Sequence, residues 1–184
     1  RVNLIGEHTD YNGGYVLPCA LNFGTYLAIR KNNSNIINMG SMNFSYTGNY
    51  RLDDIFAKKG EEWVNYPLGV LNQMINKGFN PEGLDMLFHG EIPNGAGLSS
   101  SASIELVTAK AISDLFDLNL DMLELVKLSQ RAENDFVGVN CGIMDQFAVG
   151  FGKRDKAIFL NCDTLEHELI PVDLKKYKLV IANT

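Results

Sequence analysis

The run Glu91-Ile92-Pro93-Asn94-Gly95-Ala96-Gly97-Leu98-Ser99-Ser100-Ser101-Ala102-Ser103 lies between a strand-like segment, Leu84 to His89, and a helix-like one. In that helix Ile104, Val107, Ala111, Ile112 and Leu115 fall on one face at helical spacing. Gly95 and Gly97 let a backbone or ligand approach closely, and the helix start offers unpaired N–H groups and a partial positive charge. That combination suits an anion, above all phosphate. The serine hydroxyls can add donors or ligate a metal ion. No GxxxxGK[ST] pattern occurs, so this is not the common P-loop. A glycine turn followed by serine N-caps would look the same on this stretch alone, and the serine run after Gly97-Leu98 tilts the reading toward phosphate.

Working outward, Glu62 to Lys77 places Val64, Leu68, Leu71, Met74 and Ile75 at helical spacing, with Gly78 as a stop signal. Thr25 to Ile29 reads as a strand closed by the polar turn Lys31 to Asn35, and Ile36 to Met39 is a candidate partner for it. Near the amino end, Val2 to Ile5 and the run around Val16-Leu17 are β-type. On the carboxyl side Asp121 and Glu124 form a capping-box pattern, followed by the stripe Leu125, Leu128, Ala132 and Phe136. Short strands are predicted at Ala157 to Leu160, Glu168 to Pro171 and Lys178 to Ile181. Strand runs with interspersed helices indicate an α+β fold, with α/β left open by pattern alone.

Two further stretches carry polar chemistry. Arg1-Val2-Asn3-Leu4-Ile5-Gly6-Glu7-His8-Thr9-Asp10-Tyr11-Asn12-Gly13-Gly14 packs Glu7, His8 and Asp10 between glycines. Carboxylates and an imidazole supply the mixed donors and acceptors that sugar hydroxyls require, yet a solvated polar turn has the same composition. The residues fit no strong zinc or calcium spacing. Arg131 to Phe147 holds Glu133 at a helix end and Asp145 among apolar residues. An acid in apolar surroundings marks a candidate site, while an isolated Asp there could equally cap the following helix.

Composition narrows the classes. With 46% apolar and 21% charged residues, the 184-residue chain can bury one real core. A net charge of −6 argues against a general nucleic-acid or acidic-membrane binder. The three cysteines, Cys19, Cys141 and Cys162, form no CxxC or Cys/His metal spacing, which favours reduced thiols and a cytoplasmic protein. No apolar run reaches transmembrane length and no signal peptide is legible. Residue one is Arg1, inside a motif, and Thr184 directly follows the strand-like run Tyr177 to Ala182. Both ends therefore read as cut, and the chain as part of a longer one.

Together the three stretches resemble the galactokinase branch of the GHMP small-molecule kinases. Arg1 to Pro18 is similar to the branch's signature almost throughout, Pro93 to Ser103 to the superfamily's phosphate loop, and Cys141 to Phe147 to its catalytic-Asp segment. The resemblance implies an α+β amino-terminal GHMP domain over 1–184, similar to ribosomal protein S5 domain 2, with a left-handed β-α-β crossover against the usual hand. It implies transfer of the γ-phosphoryl group of ATP to the anomeric hydroxyl of galactose, with Mg²⁺. Asp145 would be the base, or would orient that hydroxyl, and Arg1 would stabilise the forming oxyanion. Glu7, His8, Thr9 and Asp10 would hold sugar hydroxyls, with the Gly142 backbone lining the same pocket. Gly95, Ala96, Gly97, Leu98, Ser99, Ser100 and Ser101 would wrap the ATP phosphates, Ser101 and Glu133 would ligate Mg²⁺, and Ser41 would lie near the nucleotide. Galactose and ATP are then the expected partners, without nucleic acid or membrane, and a monomer is the expected state. The family's carboxy-terminal domain is absent, so the chain alone is expected to be inactive. Two alternatives stay open: an N-acetylgalactosamine kinase, and a non-catalytic galactose and ATP sensor. Sensors of this family carry a shortened phosphate loop, whereas Ser101-Ala102 are present here.

Overall fold

The polar turn after residue 31 separates two strands that do not pair with each other. In the computed structural model, which describes residues 1–60, 63–93 and 95–182, strand β4 is Thr25–Lys31 and β5 is Ile36–Ser41. Strand β7, Leu84–Gly90, lies between them. It runs antiparallel to β4, with Leu27 opposite Phe88, and parallel to β5, with Met39 opposite Met86. The hairpin expected of β4 and β5 is therefore corrected, and the turn itself shows why. Asn32 N donates to the Gly83 carbonyl at 3.0 Å, and Gly83 N donates to the Ser34 carbonyl at 2.7 Å. The turn bridges the entry of β7 instead of closing on itself. A Cβ on Gly83 would stand 2.5 Å from the Ser34 carbonyl oxygen, so this crossing requires glycine.

Leu84, Met86 and Phe88 point inward from β7 and meet Ile37 and Met39 of β5 in the core. The opposite face is polar at its centre, as period-two alternation demands. There Asp85 accepts from Asn32 Nδ2 at 2.9 Å, Asn38 Nδ2 at 2.7 Å and Arg30 Nε at 2.8 Å. Strand β6, Gly48–Arg51, forms the edge beyond β5 and completes the order β4-β7-β5-β6. Its sequence, Gly-Asn-Tyr-Arg, has too little apolar patterning to announce a strand.

Helix α1, Asn65–Asn76, follows β6 and carries the chain back to β7, so the parallel pair β5 and β7 is joined through a helix. Glu62, the expected helix start, lies outside the described residues. Gly78 (φ +91°) ends the turn after α1, as its sequence suggested. Helix α2, Ser100–Leu115, packs against α1, β4, α3 (Met122–Arg131) and α4 (Met144–Phe151). Enclosure on several sides changes its buried face. Ile112 is fully buried as expected, but Ile104, Val107, Ala111 and Leu115 are only partly buried. Fully buried with Ile112 are Ala102, Glu105, Thr108 and Ala109.

Asp121 and Glu124 do form a capping box at the start of α3. Its stripe Leu125, Leu128, Ala132 and Phe136 is buried. The helix then widens into a π-helical turn, Ala132–Val137, closed by Gly138 N donating to the Glu133 carbonyl at 3.0 Å. Near the amino end, β1 (Val2–Asn3) pairs with β3 (Pro18–Cys19). Strand β2 (Tyr15–Val16) joins β8 (Lys156–Asn161), which pairs with β9 (His167–Pro171). Lys178 to Ile181 is not a strand: Val180 is 83% exposed, and no described strand pairs with this stretch. Thr184, beyond it, lies outside the described residues.

Candidate functional site

Gly95 and Gly97 both take positive φ, +71° and +65°, and the chain then enters α2 through Ser99. Ser99 does not cap the helix: it is left-handed (φ +64°) and its side chain makes no cap hydrogen bond. Its buried hydroxyl has no partner among the described residues. A left-handed serine with an unpaired hydroxyl is costly, and such positions concentrate where backbone shape serves a ligand. Among the described residues the first-turn N–H groups of α2 are thus left without a side-chain acceptor, on a loop bent by two glycines. An anion could take them. Asn94, within the same loop, is outside the described residues.

Arg1 closes one side of this loop. Its Nη1 donates to the Gly97 carbonyl at 2.9 Å, and its main-chain nitrogen donates to the Leu98 carbonyl at 2.8 Å. Its Nε donates to Asp145 Oδ1 at 2.5 Å. Asp145 lies in the first turn of α4, two residues after Ile143 at the N-cap position, so it is not itself the cap. Sequence positions 1, 97 and 145 therefore meet at one place. The Asp145 side chain keeps 27% exposure, enough to reach a ligand.

The amino-terminal loop approaches from the other side. Gly6 (φ +99°) is forced: a Cβ there would stand 2.9 Å from the Val16 Cα. Thr9 Oγ1 lies 2.9 Å from the Gly6 carbonyl and 2.8 Å from the Tyr15 carbonyl, so the hydroxyl straps the loop together. Glu7 Oε1 accepts from Asn3 Nδ2 at 2.8 Å, and His8 Nδ1 lies 2.8 Å from the Tyr11 hydroxyl. Both Glu7 and His8 are exposed. Asp10 faces Gly142 so closely that a Cβ on the glycine would collide with its carboxylate and stand 2.9 Å from its carbonyl carbon. This contact ties the loop to the segment leading into Asp145. That segment is held by Asn134, whose Oδ1 accepts from Cys141 N at 2.9 Å.

Behind Asp145 lies a buried carboxyl pair that motif reading only half anticipated. Glu133, on the π-helical turn, is 6% exposed, and Glu105, on α2, is fully buried. Burial raises both, Glu105 well above its ordinary value. For Glu105 the neighbouring charge of Glu133 adds to the rise. For Glu133, hydrogen bonds from Ser101 and Cys141 pull the other way. Gln146 Nε2 joins the pair, donating to Glu133 Oε2 at 2.7 Å and to Glu105 Oε2 at 3.2 Å. Glu105 and Gln146 had no motif to announce them. The available signal was periodicity: Glu105 stands three residues after Ala102 and four before Ala109, where an apolar side chain is the rule.

Ser101 and Glu133, the two expected metal ligands, are thus neighbours. No cluster of three or more His, Cys, Asp or Glu residues able to hold a metal occurs among the described residues. Ser41 ends β5 and lines a pocket with Thr25, Phe44, Trp63, Phe88 and Ser101. Its apolar walls abut the phosphate-type loop. Among the described residues no helix is long and apolar enough to cross a membrane.

Comparison with known proteins agrees with this geometry. Residues 65–153 match the GHMP kinases N terminal domain, and residues 1–31 match the galactokinase galactose-binding signature. A galactokinase of Clostridium tetani (strain Massachusetts / E88) is 57% identical over 185 residues, covering 100% of this chain and 47% of that protein. The crystal structure of Lactococcus lactis galactokinase complexed with galactose superposes with a TM-score of 0.90 at 47% identity, covering 94% of this chain and 45% of that one. The Methanococcus jannaschii mevalonate kinase shares the fold at 20% identity, with a TM-score of 0.76 over 95% of this chain. The chain spans just under half the length of the galactokinases it matches. With the signature loop, the glycine-serine loop and the Asp145 segment folded together, the chain carries the GHMP kinases N terminal domain over residues 65–153 and the galactokinase galactose-binding signature over residues 1–31.

Proposed function

We propose that this domain supplies the sugar and phosphate side of a galactokinase, transferring the γ-phosphoryl group of ATP to the anomeric hydroxyl of α-D-galactose. The observation that carries the reading is Arg1 bonding the Gly97 and Leu98 carbonyls on one side and Asp145 on the other. It sets an acid–base group and a fixed cation beside a loop suited to phosphate. Phosphoryl transfer asks a protein mainly for such positioning and charge stabilisation. Asp145 Oδ1 is engaged by Arg1, which leaves Oδ2 for the sugar hydroxyl. The proton passes to Oδ2 while the hydroxyl oxygen bonds the γ-phosphorus and the bond to the ADP oxygen breaks. Arg1 offsets the negative charge forming on the attacking oxygen.

Glu7, His8 and Asp10 present exposed or half-exposed polar groups to the sugar, Thr9 shapes their loop, and the Gly142 backbone lines the same pocket. Gly95 to Ser101 and the free N–H groups of α2 suit the phosphates, and the Ser41 pocket suits the rest of the nucleotide. Ser101 with Glu133 fits Mg²⁺. That ion is commonly held by one or two protein oxygens plus substrate phosphates instead of a full protein cage. When bound it would neutralise phosphate charge. We read residues 1–184 as one amino-terminal GHMP domain of a longer kinase. An N-acetylgalactosamine kinase and a galactose sensor are the competing readings. The complete Ser99-Ser100-Ser101-Ala102 run supports catalysis over sensing. The deciding measurement is a kinase assay of the intact protein with Mg²⁺, ATP and a sugar panel. Turnover selective for galactose is expected, whereas preference for N-acetylgalactosamine or no turnover would reject the reading.

A further inference from the structure

We propose that Gln146 is a positioning residue that fixes the Glu133 carboxylate for the metal–nucleotide complex, an inference resting on the kinase reading above. Gln146 is fully buried and stands next to Asp145 in the first turn of α4. Adjacent helical residues diverge by about 100° around the axis. Asp145 therefore turns toward the open cleft while Gln146 turns into the protein. Its Nε2 has two protons and spends them on two carboxylates from different elements, Glu133 Oε2 at 2.7 Å and Glu105 Oε2 at 3.2 Å. One amide thus ties α4, the π-helical turn and α2 together behind the site.

The neighbours decide which way the amide faces. Reversing it would turn the carbonyl oxygen toward Glu133 Oε2 and Glu105 Oε2 and lose both donations. Among the described residues this arrangement leaves Gln146 Oε1 and Glu105 Oε1 buried without hydrogen-bond partners. Unsatisfied buried acceptors are rare, and they call for an explanation beyond packing. A neutral donor also suits a carboxylate that must keep its charge for a cation. A lysine here would neutralise Glu133, and an apolar side chain would remove one donor from Glu133 Oε2. Groups that orient a metal-binding carboxylate commonly change metal affinity by about 10–100-fold when removed.

The test uses the full-length kinase carrying Gln146→Met, which keeps side-chain length, and Gln146→Asn, which keeps the amide but shortens its reach. Binding of Mn²⁺ to the ADP complex is measured by calorimetry, without turnover. Metal-free ADP and galactose are measured alongside, together with thermal melting. The expected result is Mn²⁺ affinity weakened about tenfold, with galactose and metal-free ADP binding unchanged within about twofold. Turnover should then fall while the galactose KM holds. Unchanged Mn²⁺ affinity would overturn the proposal. So would a loss of galactose and metal binding in step, or failure of both variants to fold, since each assigns Gln146 to the core alone. Absence of Mn²⁺ binding in the unmodified enzyme would instead reject the metal ligands of the kinase reading.

Discussion

Asp145 and Arg1 lie 144 positions apart in the sequence and share one hydrogen bond, and in the proposed reaction they divide the labour between them. Replacing Asp145 with Asn keeps the shape and an acceptor for Arg1 Nε but removes the proposed base. In the intact enzyme Asp145→Asn should lower kcat by about 10²–10⁴-fold, with galactose binding by calorimetry largely preserved. Retained turnover would refute the base. Asp145 and Glu133 could be singled out as candidates because each sits in a recognisable segment. Glu105 and Gln146 could not, because their placement depends on contacts between α2, the π-helical turn and α4 that no local spacing encodes. Thr9 was read as a sugar ligand on its place in the signature; its hydroxyl is directed at two carbonyls of its own loop.

At the scale of elements, local chemistry was legible and strand partnership was not. The capping box of α3 and the glycine stop after α1 are decided by residues within a turn of each other. The insertion of β7 between β4 and β5 is decided by residues far apart in sequence, through Asn32, Ser34 and Gly83. The polar clasp on that sheet gives a testable pH dependence. Hydrogen bonds from Asn32, Asn38 and Arg30 lower Asp85 from the model-compound value of 3.8 to about 2. A depressed acid contributes stability above its unfolded pKa and loses it as pH falls through the folded one. The difference in urea midpoint between the unmodified protein and Asp85→Asn should therefore be present at about pH 5 and shrink as pH is lowered from 4 toward 2. A difference that stays constant over that range would show that the charge contributes nothing.

For the whole molecule, the site residues converge from three distant stretches onto one open surface. Glu7 and His8 stand exposed, and Asp145 keeps access to solvent. A surface this open cannot exclude water from a phosphoryl transfer. A chain of these 184 residues, just under half the length of the matched galactokinases, is accordingly expected to show no ATP-dependent galactose phosphorylation. Detectable product from the purified chain would contradict this.

The π-helical turn that follows α3 imposes one more condition, on chain length. Ala132–Val137 carries more residues per turn than the helix before it, so deleting one residue there would restore ordinary winding. Residues beyond the deletion would nearly keep their phase relative to α3, because the wide turn absorbs the extra residue. The side chains inside the turn would not: Glu133, which faces Ser101, is the second residue of the turn and would be re-aimed. The extra residue is thus what lets one continuous segment aim Glu133 at the site while Phe136 and Val137 stay buried.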